Sequence, residues 1–316
     1  MKLRGLFINS LEAQCSIHES GRMIYTNLQG SDLFDLEYFT TRGGAVPEGY
    51  DFYIVNFHCV VLNSLDLPQL FSFGKPAYAV HLETLPSSVL HGCPHGFTGY
   101  LVPDPSLEDT PGVWAVPRPL ESFPVTPPPS NPIPLIGTFG FATWGKNWHK
   151  IVEAAAQEFD RARVRIHIPS GTYAGTHEGT YHQIMAECAE QQRPGIEFEV
   201  TQEYKSPYQL IEWCAENDVN VFLYDRPGMS GLAAATDQAI ASGRPLVVSE
   251  DVTFRHIHKY IEPYPARGLK QAMEDQASTL CMKADWSPPK FLSKFEGILA
   301  QDLARLSAER EAGDNQ

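Results

Sequence analysis

The sequence predicts an α/β fold: two doubly wound, Rossmann-like domains facing a central cleft. Three observations predict it. Short apolar runs of strand length alternate with helical patterns along the chain, which is how a mostly parallel sheet with crossover helices reads. The stretch Phe123–Pro134 carries six prolines in twelve residues and cuts that alternation in two. The length of 316 residues suits two domains at roughly 100–200 residues each.

In chain order, Leu3–Ile8 reads as a first buried strand, followed by a polar loop over Glu12–Gly21 and a helix from about Arg22. Tyr50–Phe57 and Pro76–His81 are the next strands, with shorter ones at Gly99–Val102 and Val113–Val116. Proline cannot continue a helix or a central strand, so Phe123–Pro134 marks the domain boundary as a semi-rigid spacer. Behind it, strands are expected at Leu135–Phe139, Arg163–Ile168, Ile196–Val200, Val219–Tyr224 and Pro245–Ser249. Helices are expected at Trp148–Phe159, Tyr181–Gln191, Pro207–Glu216 and Leu232–Ser242, with a long amphipathic helix at Phe291–Glu309 and a frayed tail from Ala312. The expected domains are 1–125, a linker at 126–134, and 135–316 including the last helix.

Composition narrows the function classes. No run of 18 apolar residues occurs, so no membrane span is expected. The first ten residues have too short an apolar core for a signal peptide. Six cysteines (15, 59, 93, 188, 214 and 281) lack paired spacing and read as reduced thiols of a cytoplasmic protein. His91-x-Cys93-x-His95 has no second ligand pair and reads as a loop rather than a metal site. The net charge of −14 opposes broad electrostatic binding to nucleic acid, which needs clustered Lys and Arg.

In open α/β sheets, ligands bind outside the carboxyl ends of strands, where loops meet helix N-termini. Four such loops stand out. Gly137–Trp148 holds Gly140, Phe141 and Lys146, where glycines admit a close ligand and the ammonium suits a diphosphate; the alternative is a plain turn with a solvated lysine. Pro227–Gly231 offers Ser230 as an N-cap and the Gly231 N–H to an anion. Asp237 follows on the helix, and a carboxylate there accepts from ribose hydroxyls or is an exposed helix residue. His81, with Glu83 beyond it, ends a strand and binds sugar hydroxyls, moves a proton, or is a capped loop histidine. Cys15–Gly21, with Ser16, approaches a donor phosphate or is a surface loop. No Asp-x-Asp pair is present to hold a divalent ion against two phosphates.

Together these segments resemble retaining glycosyltransferases of the GT-B fold. Leu135–Gly140, Lys146 and Ile151–Ala155 resemble the start of that family's C-terminal domain, where a strand, Gly-Arg, a short loop and Lys-Gly precede a helix. Asp237–Ser249 resembles its Glu-Ala-Met-Ala-x-Gly-x-Pro-Val-Val segment. Tyr50–Phe57, Gly74–His81 and Val116–Pro119 follow the order of its N-terminal domain. The resemblance implies that Lys146 contacts the donor diphosphate, with Gly140, Phe141, Ser16, Ser230 and Gly231 nearby. Asp237 would hold the ribose, and His81 would sit by the transferred sugar. Three departures stand out: Phe141 replaces the arginine after glycine, Met229 the first glutamate of a Glu-x7-Glu pair, and Asp237 the second. The Gly-Thr-Phe-Gly-Phe motif and Phe254–Ile257 further resemble compact phage or environmental members.

The resemblance implies retaining transfer of a sugar from a nucleoside diphosphate sugar, as co-substrate and without metal or other cofactor, to an acceptor hydroxyl. Glycans, small molecules and modified phage DNA bases are the acceptors it allows. Lys146 would stabilise the leaving diphosphate, and domain closure about the proline linker would exclude water. A second reading, supported by Phe141 and Met229, is a binding protein on the same scaffold that has lost catalysis. Phosphorylase and epimerase readings lack, respectively, a cofactor-lysine motif and a set of cleft carboxylates and histidines.

Overall fold

Continuous apolar runs are the mark of strands buried on both faces, and two parallel sheets carry them here. The computed structural model describes residues 2–11, 15–58, 62, 64–82, 96–169, 178–229 and 231–314. By their internal contacts, two units separate: Met1–Pro119 with Trp286–Gln316, and Leu120–Asp285.

The first unit is built on β1 (Leu3–Ser10), β2 (Phe34–Thr41), β3 (Phe52–Asn56), β4 (Ala77–Val80), β5 (Gly99–Val102) and β6 (Val113–Ala115), with helices α1 (Ser16–Asn27) and α2 (Leu67–Ser72) between them. The sheet order is β2-β1-β3-β4-β5-β6, and every pairing is parallel. Leu6, Ile8, Tyr53, Val55, Ala77 and Ala79 form the core on one face. Phe7, Ile54, Tyr78, Val80 and Leu101 form it on the other.

The start of α1 corrects the loop expected at Cys15–Gly21: the helix begins at Ser16. Ile17, Met23 and Ile24 give it a buried side, while Ser16 is exposed at its first position. Gly21 is there for close approach rather than for a turn. A Cβ on it would lie 2.3 Å from Asn56 Nδ2 and 2.5 Å from Asn9 Oδ1. Those two buried amides bind each other at 2.8 Å at the carboxyl ends of β1 and β3, and each also donates to a carbonyl of α1. β2 is absent from the sequence expectations. Its buried Phe34 and Leu36 alternate with exposed Asp35 and Glu37 at the sheet edge.

The second unit carries β7 (Leu135–Phe139), β8 (Ala162–His167), β9 (Ile196–Thr201), β10 (Val219–Phe222) and β11 (Leu246–Val248), in the parallel order β11-β10-β7-β8-β9. Its helices are α3 (Trp148–Glu158), α4 (Glu178–Gln191), α5 (Pro207–Ala215), α6 (Ala235–Ser242), α7 (Leu269–Met273) and α8 (Ala277–Asp285). A full capping box starts α5, with Ser206 and Gln209 exchanging side-chain-to-backbone bonds. The helix α6 begins at Ala235 with Ala234 as its N-cap, three residues later than expected.

Arg244 explains why the proline-rich segment belongs to this unit. It is 2% exposed and donates to Ala215 O at 2.8 Å, Thr126 O at 3.2 Å, Thr126 Oγ1 at 2.6 Å and Pro127 O. Asn131 Nδ2 reaches Asp218 Oδ2 at 3.0 Å, and Lys283 Nζ reaches Phe123 O at 2.6 Å. The boundary falls at Pro119–Leu120 rather than at 125–135.

The chain ends in α9 (Pro288–Asp314), and here the domain expectation is overturned. The helix lays Phe291, Phe295, Ile298 and Leu299 on the sheet of the first unit. Phe295 meets Phe34 and Tyr78 at centroid distances of 5.6 Å, and Tyr78 donates to Asp302 Oδ2 at 2.9 Å. Its apolar stripe was legible, but a stripe does not say which sheet it covers. Among the described residues no helix is long and apolar enough to cross a membrane.

Candidate functional site: the switch point of the second sheet

In the second sheet the chain runs from β7 outward to β8 and β9, then returns to lay β10 and β11 on the other side. The loops after β7 and β10 therefore diverge, and such a switch point is where open α/β sheets receive ligands. Gly140 directly follows β7 with φ 143°. A Cβ there would lie 2.4 Å from Lys146 Nζ, so the bare backbone leaves room for the ammonium. The Gly140 N–H is already bound to His167 O at 3.0 Å. Its contribution to a ligand is space, not a donor. Phe141 follows half-buried.

The two loops are stitched together. Asp225 N donates to Gly145 O at 2.8 Å, and Asn147 Nδ2 donates to Leu223 O at 3.0 Å. Gly145 has φ 73°, and a Cβ on it would stand 2.5 Å from Asp225 O, so only glycine fits. Asn147 holds the left-handed conformation at φ 52° just before α3, a conformation asparagine tolerates better than most residues.

Lys146 is consequently carried inward. It is 8% exposed, and its Nζ lies 5.5 Å from the Tyr224 ring centroid and 5.7 Å from that of Trp148. Among the described residues, no carboxylate, hydroxyl or carbonyl takes a hydrogen bond from it. Burial, with a further push from the Arg226 guanidinium, lowers its pKa from the usual 10.5 to about 7. Tyr224, 4% exposed, has a hydroxyl without a hydrogen-bond partner among the described residues, and burial raises its pKa. The site therefore presents a desolvated cation whose counter-charge no described residue supplies. A buried charge in that state is costly until an anion pairs with it.

The other expected site residues are placed as follows. Asp237 sits in the first turn of α6, where helix N–H groups favour negative charge, but it is only 1% exposed. An exposed helix carboxylate is thus excluded, and ribose contact requires it to become accessible. Gly231 is half-buried ahead of α6; Ser230 lies outside the described residues, as do Glu83 and the His91–His95 segment. His81 and Ser16 belong to the first unit. His81 N donates to Leu101 O at 3.0 Å, and its half-buried ring lies 6.4 Å from that of Phe57 and 6.3 Å from that of Tyr100. The structure thus brings Gly140 and Lys146 together, and adds Tyr224 and Arg226, which sequence reasoning missed. The only signal for them was position: Tyr224-Asp225-Arg226 follows β10 directly. Among the described residues, no three His, Cys, Asp or Glu side chains converge as a metal site would require.

No family model matches the sequence, and no curated protein matches it. Solved structures do match. Anabaena Alr3699/HepE, in complex with UDP and glucose, aligns at TM-score 0.62 and 9% identity over 94% of this chain and 99% of its own. A glycosyltransferase from Rickettsia africae aligns at 0.66 and 11%, over 96% and 99%. An α,α-trehalose 6-phosphate synthase from Burkholderia multivorans aligns at 0.64 and 10%, over 98% of each chain. At such identities the likeness is one of fold. The chain has the α/β GT-B fold of these glycosyltransferases, with two Rossmann-like parallel sheets.

Proposed function

We propose that this protein transfers a sugar from a nucleoside diphosphate sugar to an acceptor hydroxyl, with retention and without a metal ion. The observation that carries the reading is the 8% exposed Lys146 ammonium at the switch point of the second sheet, unpaired among the described residues. A diphosphate supplies the missing negative charge. The fold supports the same donor class, because HepE was solved with UDP and glucose.

In the reaction, the bond from the anomeric carbon to the diphosphate oxygen breaks, and the acceptor oxygen bonds on the face the diphosphate leaves. The acceptor proton passes to the departing phosphate. Lys146 acts on the charge that grows on the leaving oxygens, and in its desolvated setting that interaction is stronger than in water. Phe141, Ser16, Ser230 and Gly231 remain donor neighbours in this proposal, Asp237 the ribose ligand and His81 the group beside the transferred sugar. The acceptor is a glycan, a small molecule or a modified phage DNA base. A cytoplasmic setting goes with it, supported by the free thiols of Cys15, Cys188, Cys214 and Cys281.

The burial of Asp237, together with Phe141, favours one second reading: a nucleotide- or sugar-binding protein without turnover. Incubation with UDP-, GDP- and ADP-sugars separates the two. Release of nucleoside diphosphate establishes the transferase, and NMR of the first sugar anomer released tests retention. Nucleotide binding with no release establishes the binding protein, and absence of both refutes the donor site.

A further inference from the structure

The resemblance to the glycosyltransferases gives the donor diphosphate two cations, a lysine and the arginine after the loop glycine. Here position 141 is Phe, and its half-buried side chain brings no charge. A second cation nevertheless stands at the site, from a different loop. Arg226 follows β10, one residue after the Asp225 that is stitched to Gly145. Its side chain crosses the turn that carries Lys146. A Cβ on Gly145 would be 2.8 Å from Arg226 Cγ, and the guanidinium lies 5.6 Å from the Trp144 ring centroid.

No described residue answers the charge of Arg226. Among the described residues its buried Nε has no hydrogen-bond partner and it makes no ion pair. The two carboxylates beside it are engaged elsewhere. Asp225 faces Lys150 at 3.9 Å. Asp251 accepts from the backbone N of Arg226 at 2.6 Å and from Thr253 N and Oγ1 at 2.9 and 2.6 Å. Guanidinium is the group that takes two phosphate oxygens in one plane, and a ring beneath it fixes that plane. Two cations on stitched loops repel each other unless a polyanion lies between them, and Arg226 does depress the Lys146 ammonium.

We infer that Arg226 is the second diphosphate-binding cation of the donor site, supplied by the loop after β10 in place of an arginine at 141, and that it pairs with Lys146 across the two phosphates. This rests on the donor reading above. A nucleoside monophosphate has no second phosphate to span the pair, so Arg226 sets the preference for diphosphate over monophosphate. That preference is the property a merely structural arginine would not control.

The test is calorimetric titration of the full chain with UDP, UMP and inorganic pyrophosphate, for wild type, Arg226→Gln, Arg226→Lys and Lys146→Met; GDP/GMP and ADP/AMP pairs replace the uridine pair if wild type prefers another base. Arg226→Gln is expected to weaken diphosphate and pyrophosphate at least tenfold and monophosphate threefold or less, with Arg226→Lys in between. Equal weakening of di- and monophosphate by Arg226→Gln marks a loop-packing role and overturns the inference. So does unchanged diphosphate affinity in Arg226→Gln while Lys146→Met loses it, a result that leaves the donor site standing. A wild type that binds none of the three pairs and no pyrophosphate overturns the donor reading itself.

Discussion

Replacing Lys146 by methionine removes a charge that the folded chain holds at a cost. The gap between the usual 10.5 and about 7 is worth about 5 kcal/mol at 1.36 kcal/mol per pH unit. Below pH 7 folded and unfolded chains both carry the proton, and the folded state bears the whole penalty. Between 7 and 10.5 only the unfolded chain carries it, so wild-type stability rises with pH across that window. At pH 7 the remaining penalty is about 4 kcal/mol. Methionine keeps a flexible apolar stem against the Tyr224 and Trp148 rings. The ligand-free variant should therefore be about 2–4 kcal/mol more stable than wild type at pH 7. The assay is denaturant unfolding of both proteins from pH 6 to 10, with and without nucleoside diphosphate. At about 100 times its Kd the ligand should add about 2.7 kcal/mol to wild type and far less to the variant. A variant less stable than wild type, or a stability difference that does not shrink from pH 7 to 10, would refute the idea that this ammonium waits for an anion.

Three further outcomes follow from the packing. Gly145→Ala drives a Cβ to within 2.5 Å of Asp225 O; it should cost about 1–3 kcal/mol in unfolding experiments and weaken nucleotide binding by parting the two loops. Arg244→Ala strands the carbonyls of Ala215, Thr126 and Pro127 and should cost about 3 kcal/mol, with hydrogen exchange rising at residues 120–130 before it rises in the first unit. Phe295→Ala empties a ring site among Phe34, Phe52 and Tyr78 and should cost about 3–5 kcal/mol, with exchange rising in β1–β4 and not in β7–β11.

The central strands were legible because both faces are covered, so Phe52–Asn56 and Val219–Phe222 are buried throughout and mostly apolar. Legibility failed at the periphery. The edge strand Phe34–Thr41 needs only one apolar side, and its acidic residues broke the run. Gly21 was placed at the end of a polar loop, although it lies within α1 and lets two buried asparagines reach the helix backbone. In the site, Gly140 and Lys146 were found because they share one loop with a glycine-rich pattern. Arg226 was not, because it is some eighty residues away in sequence and reaches Trp144 and Gly145 only through strand order. The burial of Asp237 is equally a tertiary fact. Its helix is short and buried on every side, and no periodicity in Ala235–Ser242 announces that.

The return of the last helix to the first sheet has a consequence for biosynthesis. The strands of the six-stranded unit leave the ribosome before the five-stranded unit, yet the aromatic residues that cover Phe34, Phe52 and Tyr78 are translated after it. At roughly 5–20 residues per second, the wait is on the order of ten to thirty seconds. Throughout that interval the six-stranded unit shows a bare apolar surface. The nascent chain is thus most exposed to chaperones, and to aggregation, over the part that was made first.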